Sequence, residues 1–201
     1  ITTLIRLKKE GFVSSRDIIL VLSGDEETQM KTTQFLAEKF EGVDFVLNSD
    51  GGGGGIDEGN DPVAYYLQAA EKTYADYEVT FTNPGGHSST PREDNAIYNL
   101  AEAASKIAAF KFPVQLNEIT SEFFRATGKN TDGALGKAML RFAANPKDKK
   151  AAQEIASHPE FVGQLGTTCV ATMLDAGHAL NALPQRASMN VNCRIFPGVN
   201  P

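Results

Sequence analysis

The chain has 201 residues, 41% of them hydrophobic, and a formal net charge of −6. It is long enough for one large or two small domains and apolar enough to bury a core, which excludes a disordered chain. The charge is dispersed without a Lys/Arg cluster, no apolar stretch approaches the roughly 18 residues of a membrane span, and only two cysteines are present; nucleic acid, a membrane helix and a disulfide-stapled mini-fold are argued against together. The sequence opens at Ile1 without a signal-peptide pattern and ends at Pro201, and reads as a segment of a longer protein.

In chain order, the first strong signal is the run IILVL, Ile18 to Leu22. Its continuous apolar character predicts a strand buried on both faces, as in a parallel sheet. Met30, Thr33, Leu36, Ala37 and Phe40 fall on one face of a predicted helix, which Ser23 or Asp25 can cap and Gly42 closes. Val43 to Leu47 predicts a second buried strand, and the three elements together predict a parallel β-α-β unit. Its carboxyl edge, where α/β proteins hold ligands, would then carry Asp25, Glu26 and Glu27 after one strand and Asn48 to Asp50 after the other.

The three consecutive acids have two readings. Asp25 can cap the helix while Glu26 and Glu27 interact with its dipole in the first turn. Alternatively, one carboxylate holds a metal ion and an uncoordinated neighbour takes a proton from the metal's water, with Asp50 as a third acid. Oxygen ligands without a nearby Cys suit zinc, cobalt or manganese.

Gly51 to Gly55 then reads as a linker, or as a loop whose backbone approaches a ligand. A dinucleotide-binding turn is excluded, because these glycines follow an acidic strand end and open no helix. From Val63 the pattern turns antiparallel, with alternation in YEVTFT, Tyr77 to Thr82. TPRE, Thr90 to Glu93, predicts a capping box with Pro at the first helical position, followed by the stripe Ile97, Leu100, Ala101, Ala104 and Ile107. Residues 114–166 predict two or three short helices broken by Gly, Asn-Pro and His-Pro steps. Two strands follow, TCVATML and ASMNVNCRI. In the second, Ala187, Met189, Val191, Cys193 and Ile195 face inward, and Ser188, Asn190, Asn192 and Arg194 face outward. Cys169 and Cys193 lie on apolar faces and read as core thiols ahead of a cross-strand disulfide.

Several of these segments together resemble a known family. GDEE, then DFVLNSDGGG, AEK, NPGGHSSTP and LNALPQRASMNVNCRIFPG, in this order and spacing from Asp17 to Gly198, are similar to the zinc exopeptidases and amidohydrolases of metallopeptidase family twenty. That family includes aminoacylase, glutamate carboxypeptidase, carnosinase and succinyl-diaminopimelate desuccinylase. The resemblance implies an α/β chain: part of a parallel-sheet, phosphorylase/hydrolase-like catalytic domain over residues 1–62, then a ferredoxin-like (βαββαβ) lid over residues 63–201. The lid would carry a helical insert at about 114–166, stop after its third strand, and form a homodimer.

The resemblance also implies roles. Glu26 would be the general base, and Glu27 a zinc ligand; Asp50, where some relatives have Glu, would be another. His87 would reach the partner subunit's active site and polarise the scissile carbonyl. Asn181 and Arg194, thirteen positions apart, would contact the substrate's carboxylate end, chemistry that suits a guanidinium and a hydrogen-bond donor. Taken singly, a His in a Gly-rich loop or an Arg on the wet face of a strand is more often simply solvated; His158 and His178 have no family role. Two zinc ions per site, a small peptide or N-acyl amino acid substrate and, by analogy with relatives carrying a long insert, an exported setting complete the expectation. The family's upstream His-x-Asp and distal His are absent, so this chain alone is expected to lack a complete dizinc site. A dimerising or peptide-binding relative without catalysis is the alternative.

Overall fold

In the computed structural model, which describes residues 1–50 and 53–201, helices and antiparallel strands are divided between two units, Ile1–Gly51 and Gly52–Pro201. The first unit holds α1 (Thr2–Lys9) and α2 (Lys31–Lys39). The second helix is the one its periodicity predicts, and the chain leaves it through Gly42 at φ +85°, a backbone conformation that glycine adopts without steric cost.

The parallel β-α-β unit expected around α2 does not form. Ile18–Leu22 and Val43–Leu47 lie outside any strand, with Leu22 68% and Leu47 77% exposed. A strand buried on both faces needs neighbouring strands and covering helices to complete its hydrogen bonds and hide its side chains. Among the described residues of this unit there are no such partners, and every strand pair in the described chain is antiparallel.

The second unit opens with a hairpin where a linker or a loop was expected. β1 (Gly53–Ile56) pairs with β2 (Pro62–Tyr66). The Asp57 carboxylate holds the turn by accepting from the amides of Gly59 at 2.8 Å and Asp61 at 2.9 Å. Gly51 and Gly52 lie outside the described residues.

The main sheet has the order β3-β7-β5, from β3 (Thr73–Thr82), β5 (Thr168–Ala176) and β7 (Arg186–Ile195). β7 lies in the centre, and its alternation is the one read from sequence: Ala187, Met189, Val191, Cys193 and Ile195 are all buried. They pack with Ala75, Val79 and Phe81 of β3 against α3 (Ala96–Ala109). The helix starts later than the Thr90–Glu93 box predicted. Asn95 caps it, its side chain accepting from Ile97 N–H at 2.9 Å, while Arg92 and Asp94 pair in the loop before it. The face packed on the sheet is made by buried Ala96 and Leu100 with half-buried Ala103, Ala104 and Ile107, while Ile97 and Ala101 of the predicted stripe are exposed.

Cys169 and Cys193 are directly opposed between β5 and β7 and form a disulfide, correcting the expectation of core thiols. Each faces inward on its own strand, and the antiparallel register brings them to a Cα separation of 4.1 Å.

Between α3 and β5 the insert is more helical than expected: α4 (Glu118–Lys129), α5 (Gly133–Ala144), α6 (Lys149–Ala156) and α7 (Pro159–Val162), ending in a 3₁₀ turn at Gly163–Leu165. It builds a core of its own from Phe124, Met139, Phe142, Ala151, Ile155 and Leu165. The α4–α5 hairpin is close-packed through glycine: a Cβ on Gly128 would lie 2.9 Å from Gly136 O, and one on Gly136 only 1.8 Å from Thr131 O.

Candidate functional site

The segment NPGGH leaves β3 through a turn held by a buried side chain. Asn83 Nδ2 donates to the Asp94 carbonyl at 2.7 Å and to Asp94 Oδ2 at 3.0 Å, and Asn83 Oδ1 accepts from Gly85 N–H at 2.9 Å. Gly85 takes φ +79°, and a Cβ there would stand 2.8 Å from Gln185 Cγ, so the turn requires glycine on two counts. The turn delivers a two-residue strand, β4 (Gly86–His87), onto β6 (Ala182–Leu183), with His87 opposite Ala182.

This pairing brings together two residues that the sequence separates by 94 positions. The Asn181 side-chain amide lies 3.4 Å from His87 Nε2, and the Asn181 carbonyl accepts from Ser88 N–H at 2.9 Å. On the other side of the ring, Nδ1 is 2.8 Å from Ser89 Oγ and receives Ser89 N–H at 3.2 Å. His87 and Asn181 are both exposed, so the pair is available to a ligand. Sequence reasoning did not single out Asn83 or Ser89. Their signal is positional: a polar residue opening a Pro-Gly-Gly turn, and a serine two places after the histidine.

Arg194 lies elsewhere. In the β3/β7 register Arg186 is opposite Thr82 and Arg194 opposite Tyr74, so eight residues of strand, roughly 26 Å at the usual rise, separate Arg194 from the end of β7 nearer His87. Its guanidinium sits 4.7 Å from the Tyr74 ring centre. Beside it the Asp76 carboxylate accepts from Tyr74 Oη at 2.5 Å and from the amides of Asn190 and Asn192, each at 2.9 Å. The Tyr74 hydroxyl, then the two amides, hold Asp76 below the usual carboxylate range, and the bond to Asp76 pushes the Tyr74 phenol up. Burial, then the nearby Arg194 charge, lowers Lys72.

In the first unit, the consecutive acids have separate positions. The Asp25 carboxylate accepts from Lys31 N–H and Thr32 N–H, both at 2.9 Å, and its carbonyl accepts from Thr28 N–H and Met30 N–H. Asp25 therefore caps α2 from six residues upstream, and Glu26 and Glu27 stand in the intervening turn, exposed, not in the helix's first turn. Partial desolvation pushes the Asp25 carboxyl up, but the hydrogen bonds from Thr32 and Lys31 outweigh it and hold the group below its ordinary range. Asp50 is exposed at the end of the unit, its N–H donating to Asn48 Oδ1 at 3.0 Å. Glu27 and Asp50 are carboxylates of a kind that binds zinc, yet among the described residues no three His, Cys, Asp or Glu side chains come together as a metal site.

Residues 69–201, more than half of the chain, match the family model described as the peptidase dimerisation domain. The chain is 28% identical over 198 residues to "Carboxypeptidase S" of Saccharomyces cerevisiae, covering 92% of this chain and 34% of that protein. It is 28% identical over 205 residues to "Probable carboxypeptidase S-like 2" of Dictyostelium discoideum, covering 96% and 38%. It is also 28% identical over 202 residues to "Probable succinyl-diaminopimelate desuccinylase" of Staphylococcus aureus, covering 98% and 42%. The chain thus spans between a third and about two fifths of the length of these curated relatives.

Proposed function

The chain belongs to the peptidase dimerisation domain family, and from that premise we propose that it is part of a metallo-exopeptidase or N-acyl-amino-acid amidohydrolase that cleaves an amide beside a free carboxylate. The observation that carries this reading is the meeting of His87 and Asn181 through the β4/β6 pair. Two polar side chains, exposed and held by backbone pairing, are suited to grip a substrate carbonyl and its neighbouring polar group. Glu26 takes a proton from the attacking water and returns it to the leaving amine; Arg194, too far along β7 to share a small substrate with His87 and Asn181 of its own chain, binds the substrate's carboxylate opposite the His87–Asn181 pair of the other copy in the homodimer. Glu27 and Asp50 contribute to a zinc site whose other ligands lie outside this chain, and zinc, when bound, supplies Lewis-acid chemistry to the scissile carbonyl.

The second unit is the lid of that enzyme, with a β-α-β-β start to a ferredoxin-like fold, and it joins two copies into a homodimer. The edge of β5, unpaired among the described residues, exposes Val170, Met173 and Leu174 and supports this, since such an edge is a template for another chain. The Cys169–Cys193 disulfide supports an exported setting, because disulfides persist in oxidising compartments.

The test is hydrolysis of a panel of dipeptides and N-acyl amino acids by the full-length protein, with and without chelator, beside its Glu26→Gln and His87→Asn variants. Chelator-sensitive release that falls about 10²-fold or more in each variant supports the assignment. Release by the variants at the parent's rate overturns the roles, and a protein that binds no zinc and hydrolyses nothing is the dimerising relative without catalysis.

A further inference from the structure

The two faces of the His87 ring make conflicting demands on its proton, and the chain decides between them. If Asn181 Nδ2 donates to Nε2, the neutral ring must carry its hydrogen on Nδ1. The Ser89 backbone N–H, however, points at Nδ1 from 3.2 Å, and a backbone amide can only donate. Its direction is set by the path of the chain, whereas the oxygen and nitrogen of an Asn side chain exchange places by a half-turn. The serine hydroxyl, 2.8 Å from the same nitrogen, donates or accepts as required and so is compatible with either form. The Asn181 contact, at 3.4 Å, is the longest of the three.

We infer that Ser89 is a positioning residue: its main-chain N–H fixes His87 with the hydrogen on Nε2, and Asn181 turns its carbonyl Oδ1 toward that hydrogen. Ser89 thus presents Nε2–H as a donor on the exposed side of the β4/β6 pair, ready for a ligand oxygen to take over from Asn181. This deepens the role proposed for His87 and rests on that reading only for its use in catalysis; the placement of the proton stands on the geometry alone.

The decisive measurement is NMR of the uniformly 15N-labelled full chain, in which only three histidines need assignment. The expected result is a coupling across the hydrogen bond between Ser89 amide nitrogen and His87 Nδ1, with the ring hydrogen on Nε2. Ser89→Ala keeps both, because the main-chain donor remains. A hydrogen found on Nδ1, or no coupling to Ser89, overturns the inference; a Ser89→Ala ring that moves to a mixture of the two forms assigns the lock to the hydroxyl and overturns the amide's part. If the coupling is present and His87→Asn hydrolyses substrate at the parent's rate, the catalytic role of His87 fails while the positioning by Ser89 stands.

Discussion

Cys169 on the edge strand β5 stands directly opposite Cys193 on the central strand β7, and the two are joined by a disulfide across 24 residues of sequence. The closed segment contains the turn that carries Asn181, so the cross-link holds the edge of the sheet and limits the freedom of the unfolded chain. For a loop of this length the chain-entropy account gives about 3.5 kcal/mol. The double variant Cys169→Ala/Cys193→Ala should lose about that much in urea unfolding, and the parent should lose a similar amount under reductant. A change below about 0.5 kcal/mol in both would show that the bond does not stabilise the native sheet.

Acid should destabilise the protein through several carboxylates at once. Asp76 is held down by the Tyr74 hydroxyl, Asp94 by Arg92, Asp148 by the amide of Ala151, and Asp25 by the amides of α2 against partial desolvation. A carboxyl whose folded value lies below its unfolded one contributes stability that is complete above the unfolded value, near 3.8 here, and is lost as pH falls through the folded one. Urea midpoints should therefore be level near neutrality and fall below about pH 4. Asp76→Asn should flatten part of that decline; an unchanged slope would remove Asp76 from the account.

The insert should fail at Gly136. A Cβ there would sit 1.8 Å from the Thr131 carbonyl oxygen in the α4–α5 loop and 2.9 Å from Gly128 O of α4, both backbone atoms that no side-chain rotation can move, so Gly136→Ala must displace the loop and push α4 from α5. Overpacking of this kind costs about 1–3 kcal/mol. Gly163→Ala, whose Cβ meets nothing within 4 Å, is the matched control and should be near neutral. Far-UV circular dichroism with thermal unfolding separates the two, and equal stability of both variants would disprove the close crossing.

Arg194 rests on Tyr74, with Asp76 beside them. In the full-length protein Arg194→Ala should raise KM about tenfold or more for substrates with a free carboxylate, as loss of a hydrogen bond to a charged group does, while kcat changes less. Esterified substrates should be indifferent to the change. An equal rise for both substrate classes would leave Arg194 as part of the surface network around Asp76.

The exposed edge of β5 gives a prediction about assembly. Met173→Lys and Val170→Lys place charge on that edge without touching the buried face. In the full-length protein both should convert the proposed dimer to monomer in light scattering, with the disulfide intact. A dimer that persists in both would put the interface on another surface.

The sequence by itself determined those elements whose period is local: the alternating faces of β7, the helix Lys31–Lys39, the helical character of the insert, and the family resemblance carried by GGHSS and the motifs around it. It also named His87 and Asn181. Only the tertiary structure decided that these two, 94 positions apart, meet, because a two-residue strand pair leaves no periodic trace in the chain. The cysteines follow the same rule: each faces inward by alternation, but their pairing depends on the register between strands. The acids show the reverse case. Their spacing allowed both cap and metal site, and the fold committed Asp25 to Lys31 and Thr32 because a carboxylate next to two unpaired helix amides is held there by hydrogen bonds that solvent must otherwise supply. The two runs read as buried strands failed for the same physical reason that made them legible. An apolar strand is specified by its neighbours, and hydrophobic character alone cannot provide them.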